Sequence, residues 1–141
     1  MFSKTCEYAI KAMLFIQSNN GSGRKINLQE IADGIDSPLA FTAKILQKLR
    51  KNGLLQSTIG AKGGFVVREG EKIYLIDIVK AIDGEGIFTN CVLGLPKCSC
   101  ENPCPVHEKY IQVKEDLIKT VLESSLDDLL DQINVKKIVL K

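Results

Sequence analysis

The stretch between Ser37-Pro38 and Asn52-Gly53 most constrains what this 141-residue chain can fold into. Serine is a favoured N-cap, and proline suits the first helical position because no N–H is needed there. Asn-Gly is a helix stop. Between these signals Phe41, Ile45, Leu46 and Leu49 form one apolar stripe, while Lys44, Lys48, Arg50 and Lys51 occupy the other face. The pattern predicts a helix that buries one side and presents cations on the other. Immediately afterwards Leu54–Thr58 and Phe65–Arg68 flank Gly60-Ala61-Lys62-Gly63-Gly64, a β-hairpin with a glycine-rich tip.

Two helices precede this pair. Residues 3–18 show helical spacing of Tyr8, Ala9, Ala12, Met13, Phe15 and Ile16, with Ser3 as the cap. Asn19–Gly23 is a turn by composition. Asn27 with Glu30 opens a short helix over 28–34, and Gly34 is expected to end it. Helix, short helix, sharp turn, basic helix and hairpin, in that order, make a winged helix-turn-helix. An α-helix fits the major groove, where base edges are distinguishable. Ser37, Leu39, Ala40, Phe41 and Thr42 at the start of the third helix would then face bases. Ala40 and Thr42 are small enough for close approach, and Leu39 and Phe41 either join the core or touch a thymine methyl. Lys44, Lys48, Arg50 and Lys51 would meet phosphates. Lys62, Gly63 and Gly64 would bring the wing tip against the sugar-phosphate chain.

A basic helix face is also what any solvated surface looks like, and a glycine tip is also an ordinary turn. Charge adds weight to the DNA reading. Residues 1–70 hold ten Lys and Arg against five Asp and Glu, whereas residues 71–141 hold nine against twelve. The basic half suits a polyanion partner.

Hydrophobic residues make up 45% and charged residues 26%, a balance that excludes disordered, collagen-like and coiled-coil chains. No apolar run approaches the roughly 20 residues of a membrane span. Glu7 and Lys11 interrupt the first apolar stretch, so a signal peptide and a membrane partner are not expected. A cytoplasmic location keeps thiols reduced, and five cysteines there point to metal or redox chemistry.

Four of those cysteines, Cys91, Cys98, Cys100 and Cys104, fall within residues 91–104, and His107, the single histidine, follows. Their neighbours are Pro, Gly, Ser, Lys and Glu, poor company for buried apolar cysteines. Cys6, inside the first helix, suits a core position instead. The segment 84–105 holds three of the four prolines and is longer than most unstructured connections. Zinc with a Cys3His set, an iron–sulfur cluster and a redox disulfide such as Cys98 with Cys104 are all compatible with this spacing. Cys104 near an N-cap and Pro105 at the first helical position would set anionic thiolates at the positive end of a helix running to about Ser124. Tyr110, Ile111, Val113, Leu117, Ile118, Val121 and Leu122 give that helix an apolar face too broad for one small chain to cover, which predicts a homodimer. Ser125 with Asp128 opens a last helix over 126–133, leaving 134–141 as a tail. The chain thus divides into a DNA-reading region 1–83, a cysteine loop 84–104, dimerisation helices 105–133 and the tail.

Four segments carry a resemblance. Ser3-Lys4-x-x-Glu7-Tyr8-Ala9-Ile10-Lys11-Ala12-Met13, Leu28-Gln29-Glu30-Ile31-Ala32, Ile45-Leu46-Gln47-Lys48-Leu49-Arg50-Lys51-Asn52-Gly53-Leu54 and Gly60-x-x-Gly63-Gly64-Phe65 resemble the bacterial regulators typified by IscR, NsrR and CymR. The resemblance spans residues 1 to about 133. It implies a mainly α, homodimeric winged helix-turn-helix regulator of operator DNA with a long C-terminal dimerisation helix. Cluster-binding members sense cluster status, nitric oxide or redox state, whereas the cysteine-lacking branch works through protein partners. By position the cluster cysteines correspond to Cys91, Cys98 and Cys104. The fourth ligand corresponds to His107, or to Glu7 from the other subunit, with Cys100 a further candidate. A [2Fe–2S] cluster is favoured over [4Fe–4S]. Ala43 stands where the IscR pattern has a glutamate, so the operator should differ. A zinc- or thiol-based regulator on the same scaffold is the alternative. An enzyme or electron carrier lacks support, since no phosphate loop, nucleotide fingerprint or base-orienter set is present, and no small-molecule substrate is expected.

Overall fold

The computed structural model describes residues 1–70 and 72–141. Helix α1 (Lys4–Asn19) begins where the Ser3 hydroxyl accepts the Cys6 N–H at 3.0 Å. Residues Gly21–Gly23 form one 3-10 turn. Helix α2 (Leu28–Gly34) starts as its capping pair requires. The Asn27 side chain accepts the Glu30 N–H at 2.9 Å and donates to the Glu30 carboxylate at 2.8 Å.

Gly34 ends α2 as expected, without itself turning left-handed. It is the last helical residue, and a Cβ there would lie 2.2 Å from the Phe15 ring. The glycine is needed so that α2 can close on α1. The left-handed turn residue is instead Asp36, at φ +52°, a conformation that a short polar side chain tolerates.

Helix α3 (Leu39–Lys51) begins one residue later than the Ser-Pro signal suggests, with Pro38 in the cap position. Ser37 therefore does not cap it. The Thr42 hydroxyl lies 2.9 Å from both the Ser37 hydroxyl and the Pro38 carbonyl oxygen. Ile45, Leu46 and Leu49 are buried as expected, and so is Thr42. Phe41 is half-buried, meeting the Tyr8 ring edge-on at 5.5 Å between centroids.

Strands β1 (Leu55–Thr58) and β2 (Gly64–Val67) pair antiparallel, Leu55 opposite Val67 and Thr58 opposite Gly64. Ile26 extends the wing by exchanging backbone hydrogen bonds with Phe65 at 2.8 and 3.0 Å. That exchange explains Gly64 better than approach to DNA does. Gly64 takes φ +152°, and a Cβ there would lie 2.7 Å from the Ile26 carbonyl oxygen. Gly64→Ala should destabilise the fold by about 1–3 kcal/mol, the usual cost of a strained backbone conformation. Hydrogen exchange should quicken at Ile26 and Phe65. An unchanged melting curve with protected Ile26 would contradict this account.

Helix α4 (Leu75–Asp83) opens with Asp77 returning a carboxylate to the Tyr74 N–H at 2.8 Å. The segment expected as a plain loop contains a one-turn helix, α5 (Gly86–Thr89), whose Ile87 and Phe88 pack against the core. Helix α6 (His107–Glu123) starts at His107. Pro105 thus lies in the turn before it, and Cys104 is outside the helix, its carbonyl accepting the His107 N–H at 3.0 Å. Helix α7 (Leu126–Lys136) opens on Ser125, which accepts the Asp128 N–H at 3.1 Å, and runs into the expected tail until Lys137 turns left-handed at φ +53°.

The core is built around α1, which packs on α2, α3, α4, α7 and β2. Met13, Ile16, Ile31, Leu46, Leu49, Ile78 and Val79 are fully buried in it. Each such side chain contributes about 1.5–3 kcal/mol through removal from water. Helix α6 differs. Only Val121 of its residues is buried, and Val113 and Leu122 are about half exposed, at 49% and 50%. No helix among the described residues is long and apolar enough to cross a membrane.

Candidate metal centre and nucleic-acid interface

The cysteine segment is shaped by short-range backbone bonds. Cys91 follows the C-cap of α5, and the Gly94 N–H closes a turn onto the Cys91 carbonyl at 2.9 Å. Ser99 and Asn102 exchange backbone hydrogen bonds at 3.1 and 3.2 Å, which folds residues 99–102 back on themselves. These turns bring the Sγ atoms of Cys91, Cys98 and Cys104 within 4.8 Å of one another, all three half-buried. Cys91 and Cys104 Sγ are 3.7 Å apart. His107, in the first turn of α6, sets Nδ1 3.2 Å from Cys98 Sγ. Its Nε2 is buried and meets no hydrogen-bond partner among the described residues. Cys100 is exposed, outside the three-thiol group. Glu7 is on the first turn of α1, paired with Lys4 at 3.0 Å, and this chain does not bring it to the thiols.

The thiols are not alike. The backbone N–H of Leu95, helped by that of Leu93 and by the Cys104 and Cys98 thiols, draws the Cys91 pKa down to about 7. At Cys98 the Cys104 backbone favours the thiolate, but burial and the side chains of Cys104 and Cys91 outweigh it, and the pKa is raised. Three adjacent sulfurs cannot all carry charge unless a cation offsets their repulsion. Cys6 is of another kind. Burial, then the nearby Asp83 and Glu7 carboxylates, push its pKa up to about 12, leaving an inert core thiol.

An open cleft of about 400 Å³ lined by Leu95, Pro96, Lys97 and Pro103 reaches Cys98 and Cys104 from outside. The thiols are therefore accessible to small diffusible molecules.

On the DNA-reading side, Leu39, Ala40, Lys44, Arg50 and Lys51 are exposed along α3, and Lys62 is exposed on the wing. Gly63 and Gly64 are half-buried beneath that tip. The structure places two candidates in local contacts, one of them away from any surface. Thr42 is wholly buried with its hydroxyl engaged locally, so its side chain has no surface to offer a base. Lys48 is exposed, and its ammonium donates to the Ile82 carbonyl oxygen at 2.7 Å. Ser37, half-buried against Thr42, contributes to the turn before α3. One exposed residue was missed. Gln47 shares the face of Ala40, Lys44 and Lys51, and the spacing of 40, 44, 47 and 51 is the signal that could have found it.

A winged helix-turn-helix with a three-thiol pocket at its C-terminal side is the frame of a chain whose family match makes it a DNA-binding regulator of transcription. The Rrf2 family, described as an iron-dependent transcriptional regulator, matches residues 2–132, and this chain belongs to it. A chain of Aquifex aeolicus assigned to the HTH-type transcriptional regulators is 31% identical over 134 residues, covering 93% of this chain and 92% of its own length. The HTH-type transcriptional regulator IscR of Xenorhabdus nematophila is 27% identical, covering 86% and 74%. Among solved structures, CymR, the global cysteine regulator of B. subtilis, superimposes with a TM-score of 0.77 at 22% identity, covering 94% of this chain and 97% of its own.

Proposed function

We propose that this chain is a homodimeric, cytoplasmic regulator whose operator binding is set by an iron–sulfur cluster held by Cys91, Cys98, Cys104 and His107. The observation that carries this reading is the convergence of three thiols within 4.8 Å of one another, with His107 Nδ1 3.2 Å from Cys98 Sγ. Thiolates with a neutral imidazole nitrogen beside them are a common metal-ligand set. The donor set therefore fits the group. When bound, a cluster of this kind, [2Fe–2S] in preference to [4Fe–4S], supplies reactivity toward oxidants and nitric oxide. The chain's own part is to hold the ligands and leave the open cleft as an entrance. The alternative fourth donor is the partner subunit's Glu7, which only a dimer could deliver.

On α3, the exposed Ala40, Lys44, Gln47 and Lys51 form the groove-facing side. Gln47 can bond an adenine edge bidentately, and the lysines can meet phosphates. Leu39, 45% exposed, would touch a thymine methyl. Arg50 and Lys62 add phosphate contacts.

Zinc is the second reading. The 3.7 Å between Cys91 and Cys104 Sγ is the edge of a tetrahedron around one ion with bonds of about 2.3 Å, which zinc satisfies as well. Anaerobic reconstitution separates the two. Iron, sulfide and visible absorption are expected. A colourless protein with one zinc per chain and no iron would replace the cluster reading with the zinc one.

A further inference from the structure

Three parts of the chain meet at the last turn of α4. From α3, the Lys48 ammonium donates to the Ile82 carbonyl oxygen at 2.7 Å. One residue on, the Asp83 carboxylate accepts the Ser3 N–H at 2.9 Å and also the Ser3 hydroxyl, and Ser3 is the N-cap of α1. The connector to the thiol site leaves from the same point. Gly84 turns the chain at φ +76°, Lys80 pairs with Glu85 across that turn at 3.0 Å, and α5 leads directly to Cys91. At its far end the connector is held again. Lys114 of α6, which lines the thiol pocket, donates to the Thr89 carbonyl oxygen at 3.3 Å. Residues 84–90 are thus a short strap, with Lys48 on the Ile82 carbonyl of the helix turn just before it and Lys114 on the Thr89 carbonyl at its far end.

An ammonium at a helix C-terminus is favoured by the negative end of the helix dipole. Lys48 satisfies that preference from the recognition helix itself. Among the exposed cations of α3, it is the one bonded to the helix that carries the strap.

We propose that Lys48 is a positioning residue: through its bond to Ile82, the strap 84–90 sets the seating of the recognition helix according to the state of the thiol site. This rests on the functional reading above. Gathering Cys91 toward Cys98 and Cys104 tightens the strap, and releasing it slackens the turn at Gly84. The last turn of α4 follows, and Lys48 carries that displacement to α3 while Ser3 carries it to α1. A strap with two settings is the bistable element that a switch requires.

The test uses full-length protein loaded anaerobically with iron and sulfide, or stripped with a chelator. The DNA is the duplex that wild type selects from a random-sequence pool. Affinity is measured in both states across a salt series for wild type, Lys48→Met, Lys48→Arg and Arg50→Met. Wild type should show an affinity ratio between the two states in the range of about 5–150. Lys48→Met should bring that ratio to within about twofold of one, with visible absorption retained and the salt slope unchanged, and Lys48→Arg should restore it. Arg50→Met should instead keep the ratio and lower the log–log salt slope by about 1.8, one phosphate contact in each of the two subunits. If Lys48→Met lowers the slope by that amount and keeps the ratio, Lys48 is a phosphate contact and the strap is wrong. A wild-type ratio of one, or no selected duplex, overturns the functional reading together with the strap. A large wild-type ratio that persists in Lys48→Met overturns the strap alone.

Discussion

Replacing Cys91, Cys98 or Cys104 singly with alanine is expected to lower metal affinity at the thiol pocket at least 100-fold, because loss of outer-shell partners alone costs about 10–100-fold in such sites. Each removes one of three sulfurs that lie within 4.8 Å of one another. His107→Ala should weaken binding as well, since its Nδ1 lies 3.2 Å from Cys98 Sγ. Cys100→Ala and Cys6→Ala should leave the bound metal unchanged. Cys100 is exposed outside the group, and the Cys6 thiol is held neutral by burial, with a pKa of about 12. Iron, zinc and sulfide content per chain checks all six variants. Loss of metal in Cys100→Ala with retention in Cys98→Ala would reverse the ligand assignment. Full binding in His107→Ala, lost in Glu7→Ala, would move the fourth ligand to the partner subunit's Glu7.

Val113→Glu combined with Leu122→Glu should convert the protein from dimer to monomer at micromolar concentration. These side chains are 49% and 50% exposed in the single chain, while α6 buries only Val121. Each apolar side chain removed from water contributes about 1.5–3 kcal/mol, and two-fold symmetry counts every residue twice. The total reaches several powers of ten in dimer affinity. Operator binding should fall with it, because a dimer engages two half-sites at once. The melting curve of the subunit should barely move, since the same side chains contribute little to its own core. Sedimentation of wild type as a monomer at micromolar concentration would contradict the assignment of α6 as the dimer face.

The helix-turn-helix and wing were legible because their signals are local. Asn27 caps α2 through Glu30, and Ser125 caps α7 through Asp128, each within three residues. The stripe of Ile45, Leu46 and Leu49 is legible for a related reason, since helical periodicity alone aligns them on one face. Crowding of cysteines among prolines and glycines marked the candidate site in the same way. Spacing alone offered four thiols there. The resemblance to IscR-like regulators favoured Cys91, Cys98 and Cys104, and the turn at residues 99–102 is what leaves Cys100 exposed.

By itself the sequence determined the order of the main helices and the hairpin, though not α5, together with the class of DNA-reading fold and the place of the thiol site. These depend on hydrogen bonds and periodicities spanning a few residues. The tertiary structure alone decided what several residues are for. Gly34 makes room for Phe15, Gly64 for the Ile26 backbone, and the Thr42 hydroxyl turns inward to Ser37 and Pro38. Lys48 reaches a carbonyl 34 residues away. A lysine on a helix reads the same whether it faces water, phosphate or a neighbouring helix end. Only the packing of α3 against α4 sets which of these it meets, because the energy of a charge is fixed by its surroundings and not by its place in the chain.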